Sequence, residues 1–253
     1  MSGIGLRKVF FLALSATAIF SSTFADELYL FSGAGLRKPM DRIITQFEKQ
    51  TGSKVVVSYG GAGKLYARYL SSRKGDLFIP GAYFYIDHLK KEGLVLSDKA
   101  VVYHTPVVAV HRDGRAGIDT FQDLKNKGLR IAIGDPKAMA FGRTAMEILE
   151  KSGMKDEILE NVVVYGATVN QLTLYLVKRT VDASIIGRSN VFLHRDTLRI
   201  VEIPEAYYTP EIIAIAVLKT TSNRELAQGF QRFTASPEGI EQFKQMGFIA
   251  IEK

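Results

Sequence analysis

The sequence has neither cysteine nor tryptophan among its 253 residues. The absence of cysteine excludes disulfides, thiolate metal sites, cysteine nucleophiles and a lipid anchor attached through an N-terminal cysteine. The four histidines, His88, His104, His111 and His194, lack the spacing of a zinc site, and no nucleophile-elbow or metalloprotease motif occurs. Each histidine is therefore expected to be an ordinary surface or packed residue, and the sequence predicts neither an enzyme nor a cofactor.

Long apolar runs are also absent after the first 25 residues. At the start, Arg7 and Lys8 precede an apolar segment, residues 9–20, that is too short to span a bilayer comfortably. Small residues follow at Thr23 and Ala25, the −3 and −1 positions of a cleavage site. This pattern favours a signal peptide (residues 1–25), cleaved after Ala25, over a membrane anchor. The mature protein is expected in the periplasm, without stable insertion in the membrane.

The charge is mildly positive and not concentrated. The chain carries +7, and without Arg7 and Lys8 the remaining 31 basic and 26 acidic residues give +5. Such a balance fits an anionic partner or simple solubility. The short basic stretches are interleaved with acidic residues, which argues against nucleic-acid binding.

Two runs of alternating strand and helix patterns indicate two α/β lobes. In the first run, apolar residues recur at helical spacing from Leu36 to Phe47, and Gly52 is placed to end that helix. Two long β-branched segments, residues 100–114 and 207–219, are predicted to cross between the lobes. The expected division is lobe 1 over 26–107 plus 214–253 and lobe 2 over 108–213. Each lobe is expected to be a mostly parallel sheet flanked by helices, with the two crossing strands as the hinge.

A glycine-rich turn in "VVVSYGGAGKLYARYL" (55–70) raises the possibility of a phosphate-binding loop. The motif fails at both ends, because its first glycine would fall at Ser58 and its magnesium-binding hydroxyl at Leu65. Glycines between a strand and a helix still let backbone N–H groups approach an anion closely. A similar turn, "FSGAG", follows the first strand, which favours anion contact over a turn with no further role.

Several phrases, taken in order, resemble the periplasmic molybdate-binding proteins of ABC importers. They are "LYLFSGAGLRKPMDRIITQFEKQTG", "YGGAGKL", "DLFI", "GDPKAMAFGRTAMEILEKSG", "VDASIIGRSNV" and "SPEGIEQFKQMGF". Together they cover nearly all of the chain after residue 25. The resemblance implies a two-lobe periplasmic-binding fold (type II) that closes over a molybdate- or tungstate-like oxyanion. It also implies a monomer that delivers this small anionic ligand to an ABC permease in the inner membrane.

The family's site residues match this sequence only in part. Its two serine hydroxyls and its tyrosine hydroxyl correspond to Gly35, Ala62 and Gly187. Backbone donors are implied near Phe141, Gly142 and Val169. Nearby polar residues could replace the hydroxyls, and the predicted ligand-binding set is Ser32, Gly33, Gly35, Gly61, Ala62, Phe141, Gly142, Arg143, Val169, Gly187 and Arg188. Ser189 is a further candidate, whereas Arg37 and Lys64 are expected at the surface.

Other ligands and roles remain open at this point. The missing hydroxyls are compatible with a small organic anion, since arginine forks suit carboxylates. Tyr207 and Tyr208 could belong to a ferric-ion site, although aromatic packing is the expected role of this pair. A sensory module without an importer would use the same fold.

Overall fold

The computed structural model describes residues 26–137 and 139–251. The predicted signal peptide, residues 1–25, lies outside the described residues. In chain order, the strands are β1 (Glu27–Gly33), β2 (Lys54–Gly60), β3 (Leu77–Ile79), β4 (Val95–His104), β5 (Pro106–His111), β6 (Ile131–Gly134), β7 (Val162–Gly166), β8 (Ala183–Gly187), β9 (Leu198–Val201), β10 (Glu211–Leu218) and β11 (Ile249–Ala250). The α-helices are α1 (Arg37–Thr51), α2 (Ala62–Ser72), α3 (Tyr83–Lys91), α4 (Ala140–Ser152), α5 (Lys155–Leu159), α6 (Val169–Val177), α7 (Arg188–Leu193), α8 (Arg224–Thr234) and α9 (Pro237–Lys244).

The first sheet brings the two predicted glycine turns together. Its strand order is β11-β4-β10-β3-β1-β2, and β1 pairs with both β2 and β3 in parallel. Gly33 at the end of β1 is the register partner of Gly60 at the end of β2. Because the carboxyl ends of parallel strands lie at one edge of the sheet, the turns that lead into α1 and α2 lie side by side.

The second sheet repeats this arrangement with the other half of the predicted site. Its order is β7-β6-β8-β5-β9, and β6 pairs in parallel with β7 and β8. Gly134 at the end of β6 faces Gly166 at the end of β7 in register. The helices α4, α6 and α7 follow β6, β7 and β8 in the chain, so all three begin at one edge of this sheet.

Both sheets are mixed, whereas the sequence pattern predicted mostly parallel sheets. In the first sheet, β10 pairs antiparallel with β3 and with β4, and β11 pairs antiparallel with β4. In the second, β5 pairs antiparallel with β8 and with β9. The parallel pairs join strands that lead into helices. Every antiparallel pair includes a strand that lies next to a crossing between the sheets.

The chain passes between the sheets twice. In the first crossing, β4 belongs to the first sheet and β5 to the second, with only Thr105 between them. The second crossing lies between β9 and β10 and contains the 3-10 turn Glu205–Tyr207. Of the segment 207–219, expected to be a crossing strand, residues 211–218 form β10 within the first sheet, and the crossing lies before them.

Helices cover both faces of the first sheet, as expected for an α/β lobe. The apolar residues of α1, including Phe47, pack with α8 and α9 on one face, and α2 and α3 pack on the other. Phe47 meets Phe230 edge-on at 5.0 Å between ring centroids. The predicted end of α1 is confirmed: Gly52 caps it in the left-handed region, with φ 72°.

Candidate functional site

A cavity of about 530 Å³ lies between the lobes, at the ends of the strands that lead into helices. Residues of the first lobe line one side: Gly33, Ala34, Gly35, Leu36, Gly60, Gly61, Ala62, Pro80 and Gly81. Residues of the second lobe line the other: Met139, Phe141, Thr168, Val169, Asn170, Ser189 and Asn190. His104 and Phe248 complete the lining near the first crossing. The cavity is therefore a cleft lined by residues of both lobes.

Two long helices begin at the cavity without a side-chain cap. Gly61 is the N-cap residue of α2 and Met139 that of α4, and neither forms a capping side-chain hydrogen bond. Thr168, which caps α6, does accept a hydrogen bond from the Gln171 N–H at 3.2 Å. The first N–H groups of a helix have no partner within the helix and carry partial positive charge. The starts of α2 and α4 can therefore donate to an anion bound between them.

The cavity lining is electrically neutral. Among the described residues that line it, none is Lys, Arg, Asp or Glu. The polar side chains of the lining are those of His104, Thr168, Asn170, Ser189 and Asn190. An anion bound here would be stabilised by backbone and neutral side-chain donors.

Six residues of the predicted site line the cavity: Gly33, Gly35, Gly61, Ala62, Phe141 and Val169. Ser32 does not, because its side chain is fully buried behind the turn, where its Oγ has no hydrogen-bond partner among the described residues. Gly142 lies behind the lining, and a Cβ on it would come within 2.5 Å of the Asp135 carbonyl carbon. This glycine lets the first turn of α4 pack directly on the end of β6.

The two predicted arginines lie outside the cavity lining. Arg143 is exposed, and its Nη1 donates to the Pro136 carbonyl at 3.4 Å. The Arg188 guanidinium pairs with Glu202 and donates from Nε to Thr105 Oγ1 at 3.1 Å. Arg188 therefore ties α7 to the first crossing.

His104 is the principal site residue that the sequence analysis missed. It ends β4, it is partly buried, and its Nε2 lies 3.0 Å from the Oγ of Ser189 on α7. Burial, and then the positive charge of Arg188, lower the pKa of His104 to about 4. The imidazole is therefore neutral at pH 7. The only sequence signal is position, because His104 directly precedes the Thr-Pro step at which the chain crosses between lobes.

Gly187 explains how the His104 ring fits. A Cβ on Gly187 would lie 2.4 Å from His104 Nε2 and 3.0 Å from the Phe141 ring. The imidazole therefore occupies the space in which a side chain at position 187 would begin. Glycine at this position, predicted as a lost hydroxyl donor, is also what allows a histidine to reach the cavity.

The tyrosine pair considered for a ferric ion takes part in packing, which was its expected role. The Tyr207 ring lies 5.7 Å from that of Phe121, and Tyr208 is buried in the core of the second lobe. Neither lines the cavity. Across residues 26–137 and 139–251, no three His, Cys, Asp or Glu side chains are grouped as a metal site would require.

Two α/β lobes joined by two crossings, with a cavity lined by both, are the arrangement of a two-lobe binding protein. A family profile described as bacterial extracellular solute-binding protein matches residues 28–249, and the chain belongs to that family. A Haemophilus influenzae protein, named only as a binding protein, is 40% identical over 240 residues, covering 93% of this chain and 97% of the relative. The molybdate-binding protein ModA of Escherichia coli is 26% identical over 245 residues, covering 91% of this chain and 93% of the relative.

Solved structures agree on the fold. A Clostridium difficile substrate-binding domain, assigned to a molybdenum ABC transporter, superposes with a TM-score of 0.82 at 24% identity. The match covers 90% of this chain and 100% of that chain. The predicted periplasmic-binding fold and the resemblance to molybdate-binding proteins are confirmed. Within the described part of the chain, no helix is both long and apolar enough to cross a bilayer.

Proposed function

We propose that this chain is the periplasmic ligand-binding component of an ABC importer and captures a molybdate- or tungstate-like oxyanion in the interlobe cleft. One observation carries the proposal: the starts of α2 and α4, both without side-chain caps, line a cavity whose described lining contains no ionised side chain. Helix starts of this kind favour anions. The likeness to Escherichia coli ModA supports an oxyanion as the ligand.

The structure suggests how capture would proceed. The anion enters between the glycine turns after β1 and β2 on one lobe and the starts of α4 and α6 on the other. Closure about the crossings at Thr105 and at residues 202–210 then buries it, so that donors from both lobes meet it at once. The closed form is the one that an inner-membrane permease would recognise. The proposal also includes cleavage of the signal peptide after Ala25 and a monomeric mature protein.

A small organic anion is the second candidate, and the apolar part of the lining favours it. Phe141, Phe248, Met139 and Leu36 all contribute to the cavity wall. Such side chains suit the carbon skeleton of a ligand whose charged group sits at the helix starts.

A thermal-shift panel on residues 26–253 distinguishes these candidates. The panel contains molybdate, tungstate, sulfate, phosphate and a set of small carboxylates and organic phosphates, with chloride at matched ionic strength as the control. A ligand at about 1,000 times its dissociation constant stabilises the folded state by about 4 kcal/mol, which gives a clear shift. A shift with molybdate and tungstate supports the proposal, and a shift only with organic anions supports the second candidate.

The importer role has its own test. Deletion of the gene in the source bacterium should abolish high-affinity uptake of the anion that shifts the protein. Unchanged uptake, combined with tight binding in vitro, would favour the sensory role instead.

A further inference from the structure

The polar side of the cavity near the first crossing is formed by two residues from different lobes. His104 ends β4 in the first sheet, and Ser189 lies in the first turn of α7 beside the second sheet. Their side chains meet at 3.0 Å between Nε2 and Oγ, and both residues line the cavity. This contact therefore links the two lobes at the place where a ligand would lie.

The imidazole is held in position by its neighbours. The Phe141 ring meets it edge-on at 5.3 Å, and the Phe248 ring lies 4.9 Å away at 41°. Gly187 leaves the space that Nε2 fills. These contacts restrict the ring, and in this orientation Nε2 faces Ser189 Oγ.

The pair formed by His104 and Ser189 is neutral and can form a further hydrogen bond. The nearby charge is that of Arg188, which already pairs with Glu202, while Phe141 and Phe248 present only apolar surface. When Nε2 carries the imidazole proton, His104 donates to Ser189 Oγ, and the serine hydroxyl is left to donate into the cavity. A hydrogen bond from a neutral donor to an anion is stronger than one between two neutral groups.

We propose that His104 and Ser189 act together as the specificity-determining polar contact of the cleft, with His104 orienting the Ser189 hydroxyl toward a bound oxyanion. This inference rests on the proposed function. It assigns a role to a histidine that no motif in the sequence indicates. It also accounts for glycine at position 187, since any side chain there would displace the imidazole.

The test is isothermal titration with molybdate and with tungstate on four proteins: wild type, His104→Phe, His104→Gln and Ser189→Ala. Phenylalanine keeps a ring between Phe141 and Phe248 but removes both nitrogens, whereas glutamine restores an N–H donor. We expect His104→Phe and Ser189→Ala each to weaken binding about tenfold or more. His104→Gln should recover most of that loss.

The double variant His104→Phe with Ser189→Ala should bind no more weakly than the weaker single variant, because the two residues form one contact. Far-ultraviolet circular dichroism and the melting temperature check that each variant is folded, and Ser189→Ala keeps the test valid if His104→Phe does not fold.

If the folded His104→Phe and Ser189→Ala variants bind with wild-type affinity, this inference is wrong and the proposed function still stands. A loss that glutamine does not recover would overturn this inference in the same way. No binding of either anion by the wild-type protein would overturn the proposed function and this inference with it.

Discussion

His104 should make the folded protein lose stability as the pH falls from about 6.5 to about 4. The ordinary pKa of the group is 6.5, and in the folded protein burial and the charge of Arg188 lower it to about 4. Between these values the unfolded chain binds a proton that the folded chain does not, so falling pH favours unfolding. The contribution is fully present above the unfolded-state pKa and is lost toward the folded-state pKa.

The size of the effect follows from the two pKa values. Each unit of difference corresponds to about 1.4 kcal/mol, so about 3 kcal/mol of stability should be lost by pH 4. That is a substantial part of the 5–15 kcal/mol that is typical of native proteins. It should move the urea midpoint by about 1 M or more.

Urea unfolding of the wild-type protein and of His104→Gln at pH 7, 5 and 4 measures this effect. Carboxylates such as Asp182, whose pKa is lowered mainly by its hydrogen bond from Arg130, also lose stability in acid, but equally in both proteins. The expected result is a wild-type loss about 3 kcal/mol larger than that of the variant. Equal losses in the two proteins would refute the assignment of His104 as an imidazole that stays neutral in the folded protein down to about pH 4.

The remaining predictions concern three other positions. Gly187→Ala should destabilise the protein by about 1–3 kcal/mol by overpacking against His104, and the cost should shrink in a His104→Ala background, as urea unfolding of the four proteins would measure. Gly142→Ala should lower both the melting temperature and the anion affinity, because the new Cβ would force the first turn of α4 away from Asp135. Arg143→Ala should leave the anion affinity measured by titration unchanged, since the exposed guanidinium bonds only to a backbone carbonyl among the described groups.

For each of these three predictions, a different measured result would contradict its physical reason. Equal costs of Gly187→Ala in both backgrounds would mean that the imidazole does not occupy the space beside position 187. Wild-type affinity and melting temperature in Gly142→Ala would mean that the close contact at the start of α4 has no effect on the site. A sharp loss of affinity in Arg143→Ala would place that guanidinium on the ligand after all.

The glycine turns are well predicted from the sequence, because each is a glycine-rich stretch between a strand pattern and a helix pattern. The strands that end at Gly33 and Gly60 pair in parallel, and these two glycines are register partners, so the turns that follow them lie side by side. The end of α1 at Gly52 follows from the helical spacing and the conformational freedom of glycine at a left-handed cap.

His104 could not be found in the same way. Its partner Ser189 is 85 residues away, and the two meet only because β4 and α7 converge at the crossing. Arg188 follows one of the predicted turns in sequence, yet its side chain reaches Glu202 and Thr105 instead of the cavity. Proximity along the chain fixes where a backbone donor lies, but the direction of a long side chain depends on its tertiary partners.

A molybdate titration of the mature chain and of two variants of α2 tests whether an anion binds at the start of this helix. Ala62 lines the cavity at the first position of the helix, and Ala67 is exposed on the same helix outside the lining. Ala62→Glu places a negative charge at the helix start, and Ala67→Glu adds the same charge as a matched control. We expect one molybdate site per chain, abolished by Ala62→Glu and retained by Ala67→Glu. Equal molybdate binding by both variants would contradict an anion site at the start of α2.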